Sequence, residues 1–265
     1  MKVPVAFGQY VPVASPVHAL DAKAKMGLAA AFTAGIFMVD GLAGLGVMGV
    51  LIAVAVALSR VPVRIALRGI KALAVILTFT LIVHAVRWNP ATVTLLRLGP
   101  IGIDGPGLLT GVFFAVRIVL MVVGTSLLTL TTTPVQLTDA LERIMRPLER
   151  LRFPAGEVAM MLTVALRFIP TTAQEAEKII IAQTARGARF DEGGPVRRAR
   201  AFIPVLVPLF VNLFRRAEDL AVAMESRCYR GGRGRTRLHI SEMRVADWLT
   251  LAAGAVVLVT VGVVL

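Results

Sequence analysis

Cysteine is almost missing from this sequence. Cys228 stands alone among 265 residues, so no internal disulfide can form. Acidic residues are scarce as well: 16 Asp and Glu face 29 Lys and Arg, giving a formal net charge of +13. Charged residues make up only 17% of the chain, less than a soluble domain carries. Aromatics are 6% and are not interleaved with the positive charge, which argues against a nucleic-acid surface. The three histidines, His18, His84 and His239, lie far apart and in no zinc-ligand spacing. There is no Gly-x-Ser-x-Gly motif, and Gly231-Gly232-Arg233-Gly234 lacks the Lys-Ser ending of a phosphate loop. The chain is therefore expected neither to hydrolyse ATP nor to bind a metal or other cofactor of its own.

Apolar residues, by contrast, make up 57% and are gathered into long runs, the mark of membrane helices. The first 21 residues, with Pro4, Pro12 and Pro16, have no sustained apolar core and are not read as a secretory signal. Five spans follow: 26–39, 42–58, 65–86, 105–130 and 245–265. Asp40-Gly41 makes a tight turn between the first two, and the first is short unless Lys23 and Lys25 snorkel from its end. Basic residues cluster before the first span (Lys2, Lys23, Lys25), around the 59–64 loop (Arg60, Arg64, then Arg68 and Lys71) and throughout 133–244. Only Arg87 and Arg97 fall between the third and fourth spans. The positive-inside rule then places the N-terminus, the 59–64 loop and the long stretch in the cytoplasm, with 88–104 and the C-terminus outside.

Helix contacts within the bilayer are suggested by small-residue spacing at Ala30/Ala34 and Ala53/Ala57, and by Gly41, Gly44, Gly46 and Gly49. Arg117 falls inside the fourth span. It is read either as half of a functional pair or as an interfacial residue on a tilted helix.

The region 133–241 carries the most unusual pattern. Thr133-Pro134 reads as an N-cap and first helical position. The helix it opens runs to about residue 151, amphipathic through Leu137, Leu141, Ile144 and Leu148 and bent at Pro147, with Arg143, Arg146, Arg150 and Arg152 late in it. Pro154 opens a second helix. It is apolar nearly all round to Pro170, then amphipathic with Ala173, Ala176 and Ile180 in one stripe. Ala185-Arg186-Gly187 closes it, Gly187 serving as the C-cap glycine. After Gly193-Gly194-Pro195 the pattern repeats. Arg197, Arg198 and Arg200 precede an apolar run holding Pro204 and Pro208, and a stripe of Leu213, Ala217, Leu220 and Met224 ends at Ser226-Arg227-Cys228. Both apolar halves are too short to span a bilayer. Each helix would be roughly 50 Å long, with an arginine at its end.

These residues resemble the transmembrane T component of energy-coupling factor (ECF) transporters. The likeness runs through Ser15-Pro16-Val17-His18-Ala19-Leu20-Asp21, then Thr132-Thr133-Pro134 with Leu137, Ala140-Leu141-Glu142 and Pro147-Leu148. Its most specific block is Ala165-Leu166-Arg167-Phe168-Ile169-Pro170 with Glu175-Ala176-Glu177 and Ala182-Gln183-Thr184-Ala185-Arg186-Gly187-Ala188. Met224-Glu225-Ser226-Arg227-Cys228-Tyr229-Arg230-Gly231 supplies the second motif, where the family more often has Ala-Arg-Gly; Cys228 in place of that glycine weakens any claim that a special backbone angle is needed there.

The resemblance implies an all-α integral membrane protein with about five transmembrane helices and a cytoplasmic module of three coupling helices, two of them long and kinked at Pro170, Pro204 and Pro208. Residues 1–132 would hold the N-terminal segment and four spans, 133–241 the coupling module and 242–265 the last span. Two ATP-binding cassette ATPase subunits would dock on Ala185, Arg186, Gly187, Ser226, Arg227 and Cys228. A membrane-embedded, substrate-binding S component would lie against Met161, Phe168, Ile169, Leu206, Phe210 and Leu213. The setting would be a bacterial or archaeal plasma membrane, and the cargo, chosen by the S component, a vitamin or transition-metal ion. Three other classes are weighed against this. An intramembrane enzyme lacks its chemistry in the sequence. A substrate-binding permease would need polar groups at mid-membrane. A basic membrane scaffold would need no ATPase partners.

Overall fold

The computed structural model describes residues 10–88, 94–98, 101–151, 153–231 and 243–264. Lys2, Pro4, Arg152, Gly232, Arg233, Gly234 and His239, all named above, lie outside the described residues, as do residues 89–93 of the expected external stretch. Among the described residues the elements are helices joined by short connections, apart from one small sheet. It divides into two compact units, one drawn from Leu141–Leu238 and the other from Gly8–Ala140 with His239–Leu265.

The second of these is the apolar unit. It contains α1 (Pro16–Ala19), α2 (Ala22–Met38), α3 (Leu42–Ser59), α4 (Val63–Ala66), α5 (Arg68–Ala85), α6 (Gly105–Thr131) and α11 (Val245–Val264). Among the described residues, Leu42–Ser59, Gly105–Thr131 and Val245–Val263 are helices long and apolar enough to cross a membrane, and Gly69–Ala85 is a shorter apolar helix. The single third span expected from residue 65 is in fact divided: α4 ends at Ala66, and α5 begins beyond Leu67. The 88–104 region, read only as an external loop, contributes strands β1 (Val86–Trp88), β2 (Thr94–Leu98) and β3 (Ile101–Asp104). They pair antiparallel in the order β1-β3-β2, with Val86 opposite Ile103 and Leu98 opposite Ile101.

Helix α6 packs against α2, α3 and α5, and α11 against α2 and α3. One core gathers Phe32, Ile36 and Val39 with Leu45, Met48 and Leu258; another gathers Val56, Val61 and Ala66 with Val123, Leu127 and Leu130. Of the glycines the sequence suggested, Gly44 is buried and a Cβ on Gly49 would stand 3.7 Å from Leu120 of α6; the tightest helix approaches run through other glycines. A Cβ on Gly35 would lie 2.8 Å from the Leu258 carbonyl oxygen, and one on Gly262 would lie 2.8 Å from the Gly35 carbonyl oxygen. Ala30, Ala34, Ala53 and Ala57 are all exposed, and Gly46 has open space where a Cβ would stand. The small-residue reading is corrected at these five positions, which lie on outward faces.

Lys25 departs from the snorkelling expectation too. It is buried and turns inward, and its Nζ donates to the carbonyls of His18 (3.1 Å) and Thr131 (3.0 Å). A buried ammonium must find acceptors, and these two are carbonyls that would otherwise go unpaired at the ends of α1 and α6. The adjoining Ser15–Asp21 block consists of caps. Ser15 Oγ accepts from the His18 N–H, Asp21 Oδ1 accepts from the Lys23 N–H, and the Asp21 N–H donates to Asp247 Oδ1 at the start of α11.

Helix α7 (Pro134–Met145) opens as expected from Thr133-Pro134, with a reciprocal bond besides. Thr133 Oγ1 accepts from the Gln136 N–H, while Gln136 Oε1 accepts from the Thr133 N–H. At Pro147 the regular helix gives way to a 3-10 segment, Arg146–Leu151, since proline supplies no N–H for the α-helical ladder. The Leu141–Leu238 unit then holds α8 (Ala155–Ala185), α9 (Pro195–Ala201) and α10 (Ile203–Ser226), with α8 and α10 packed on each other.

Candidate functional site at two arginine-tipped helices

Helices α8 and α10 end in the same way. Their last helical residues are Ala185 and Ser226, and the C-cap residues are Arg186 and Arg227. At the first tip the Gly187 N–H donates to the Thr184 carbonyl (3.0 Å) and the Ala188 N–H to the Gln183 carbonyl (2.9 Å). At the second, the Cys228 N–H donates to Glu225 (2.9 Å) and the Tyr229 N–H to Met224 (3.0 Å). Each pair of bonds is a Schellman closure, which needs a left-handed residue just past the cap. Gly187 meets that need at φ +88° and Cys228 at φ +56°. The inference that cysteine there argues against a special angle is thus overturned. The same angle is present, at a steric cost of about 1 kcal/mol that glycine would not incur.

All six tip residues, Ala185, Arg186, Gly187, Ser226, Arg227 and Cys228, are exposed. Among the described residues neither tip guanidinium has a hydrogen-bond partner, although Ser226 Oγ donates to the Ala223 carbonyl. Beside the second tip lies a depression of about 330 Å³ lined by Ala217, Leu220, Ala221, Met224, Glu225 and Tyr229.

The sequence pattern of the CbiQ family, described as cobalt transport protein, matches residues 14–238. A protein of Thermanaerovibrio acidaminovorans is 48% identical over 248 residues, covering 93% of this chain and 91% of the relative. One of Thermosediminibacter oceani is 44% identical over 243 residues (92% and 91%), and one of Bacillus subtilis 40% over 230 residues (87% and 86%). Each of the three is named energy-coupling factor transporter transmembrane protein EcfT. This chain belongs to that family of ECF T components.

In this T component the proline positions divide into two kinds. Pro170 and Pro208 lie inside continuous helices, where each removes one backbone bond. Pro204 falls in the first turn of α10, just past the break at Phe202, where no donor is needed. At 31 and 24 residues, α8 and α10 are about 46 and 36 Å long; α10 is the shorter because α9 is a separate helix.

Of the residues assigned to a membrane partner, Met161, Ile169, Leu206 and Phe210 are exposed, and Phe168 and Leu213 are half-buried. Phe168 is covered in part by Arg216, whose Cζ stands 5.7 Å from its ring centroid. Arg216 also donates to Glu175 Oε1 and, through Nη1, to Thr171 Oγ1 at 3.2 Å, joining α10 to α8. Nothing in the two apolar stripes pairs Glu175 with Arg216. They are 41 residues apart, and no local periodicity links two helices.

In the apolar unit of the T component, Arg117 lies over Phe113, 4.5 Å from Cζ to ring centroid, and donates through Nη2 to the Val39 carbonyl at the end of α2. It thus caps a helix terminus. His18 and His84 are engaged locally: the His18 ring bonds Ser15 Oγ and the Val11 carbonyl, and His84 Nδ1 bonds the Thr80 carbonyl.

Proposed function

We propose that this chain is the coupling subunit of an ECF-type importer, transmitting ATP-driven movement of two ATP-binding cassette ATPase subunits to a substrate-binding S component in the membrane. The observation that carries this reading is the shared build of the α8 and α10 ends. Two helices that pack on each other each place an exposed arginine, without a partner among the described residues, at the same station of the same helix closure. An arginine fork keeps its charge and can bond two acceptors at once, which suits docking into an acidic or carbonyl-lined groove. Held at a closed helix end, its backbone gives up little conformational freedom on docking, and only the side chain has still to be ordered. The exposed apolar residues Met161, Ile169, Leu206 and Phe210 give the S component a surface to lie against. ATP hydrolysis belongs to the partner subunits, and the S component selects the vitamin or transition-metal ion.

On this reading the apolar unit sits in a bacterial or archaeal plasma membrane as about five spans, and the N-terminus and the 133–241 module face the cytoplasm. The test is copurification. Arg186→Glu and Arg227→Glu should each leave the protein in the membrane but strip ATPase subunits from it, since losing a desolvated interfacial arginine costs on the order of 2 kcal/mol or more. Retention of both ATPases with normal ATP hydrolysis would falsify the docking role and favour a membrane scaffold.

A further inference from the structure

The contact between Arg216 and Glu175 has a distinctive place in the two long helices. Phe168, Thr171 and Glu175 recur at helical spacing along one face of α8, and the Arg216 guanidinium meets all three. The two charged side chains are 32% and 26% exposed, so the pair is partly shielded from solvent. Glu175 lies eleven residues before Arg186, and Arg216 lies eleven residues before Arg227. Between pivot and tip each helix is unbroken and free of proline, while Pro170 and Pro208 both fall on the other side of the contact. The two stretches are therefore stiff arms of equal length, about 16 Å each.

We infer that Arg216 and Glu175 form the pivot on which the two arginine tips swing, with arms matched to two ATPase subunits moving together. This rests on the docking reading above and adds to it the fulcrum and the matched arms. The bonding suits a pivot. Glu175 Oε2 is buried without a partner among the described residues, so the fork does not grip both carboxylate oxygens. A two-oxygen grip would fix the crossing angle. One oxygen, one hydroxyl and one aromatic face instead hold position and leave rotation open. On the far side of the contact, each proline removes a helix bond, so bending falls there and not in the arms.

The test uses the complex purified with its ATPase subunits, spin-labelled at Ile181→Cys and Val222→Cys, both exposed and each five residues short of its tip. Cys228→Gly removes the native thiol while keeping the helix closure. The tip-to-tip distance is measured without nucleotide and with magnesium, ATP and vanadate. With the native pair, a narrow distribution should shift on nucleotide binding. Arg216→Gln and Arg216→Glu should keep the ATPases bound, yet broaden the distribution and lose at least half the shift. The swapped double variant, Arg216→Glu with Glu175→Arg, should restore both. An unchanged shift in Arg216→Glu, or no rescue by the swap, overturns the pivot. Failure of the unsubstituted protein to retain ATPases would overturn the docking reading instead, so the two failures are distinguishable. Should Arg216→Glu fail to fold, the milder Arg216→Gln carries the same decision.

Discussion

Cys228 holds at φ +56° the backbone station that Gly187 holds at +88°. The two residues follow the two tip arginines, and the amides around them close the two helices with equivalent bonds. A side chain with a Cβ is under steric load at that angle, whereas glycine is not. The second tip thus reaches the same geometry as the first despite an unfavourable residue, so the closure is set by the helix end and does not depend on glycine.

Replacing Cys228 with glycine should therefore tighten the second tip. Hydrogen exchange of the Cys228 and Tyr229 amides should slow by a few-fold, corresponding to about 1 kcal/mol of relieved strain. Gly187→Ala should do the reverse at the Gly187 and Ala188 amides by a similar amount. Faster exchange in Cys228→Gly would show that the positive angle carries no load.

Lysine at either tip tests fork against charge. Arg186→Lys and Arg227→Lys keep the positive charge but lose the planar pair of donors. ATPase retention through a salt wash should fall between that of the native protein and that of the glutamate variants. Retention as poor as with glutamate would mean that geometry alone decides docking, and full retention that charge alone does.

Packing of α2 against α11 should tolerate no side chain at Gly35. A Cβ there meets backbone, the Leu258 carbonyl oxygen at 2.8 Å, which cannot simply swing aside. Gly35→Val should destabilise the purified protein by about 2 kcal/mol in thermal unfolding. Ala34→Val, on an exposed face one residue away, should change stability by under about 0.5 kcal/mol. Equal effects of the two substitutions would be evidence against this helix pairing.

Lys25→Met preserves bulk and removes the buried donor. It leaves the carbonyls of His18 and Thr131 without their bond, at a cost of about 2 kcal/mol. Thermal unfolding should register the loss, while the protein stays in the membrane fraction. An unaltered unfolding temperature would mean that water reaches those carbonyls.

Much of the candidate site was legible because its determinants are local. Thr133-Pro134, the break at Pro147, the apolar stripes and the Gly187 closure each depend on residues within about one helical turn, which is how far a cap or a periodic face reaches. Besides Lys25 and the divided third span, two expectations gave way for instructive reasons. At Cys228 a residue preference is not a requirement. At Ala30/Ala34 and Ala53/Ala57 spacing is not contact.

Sequence alone thus established a membrane chain with two half-apolar rods ending in arginine, because hydrophobic periodicity and helix ends are written within a few residues. The tertiary structure alone decided that Lys25 reaches Thr131 across 106 positions, that Arg117 reaches Val39 across 78, and that Arg216 reaches Glu175 across 41. Those contacts arise when separate helices come together. Which side chains then meet is fixed by the packing of whole faces, a property that no single segment of sequence carries.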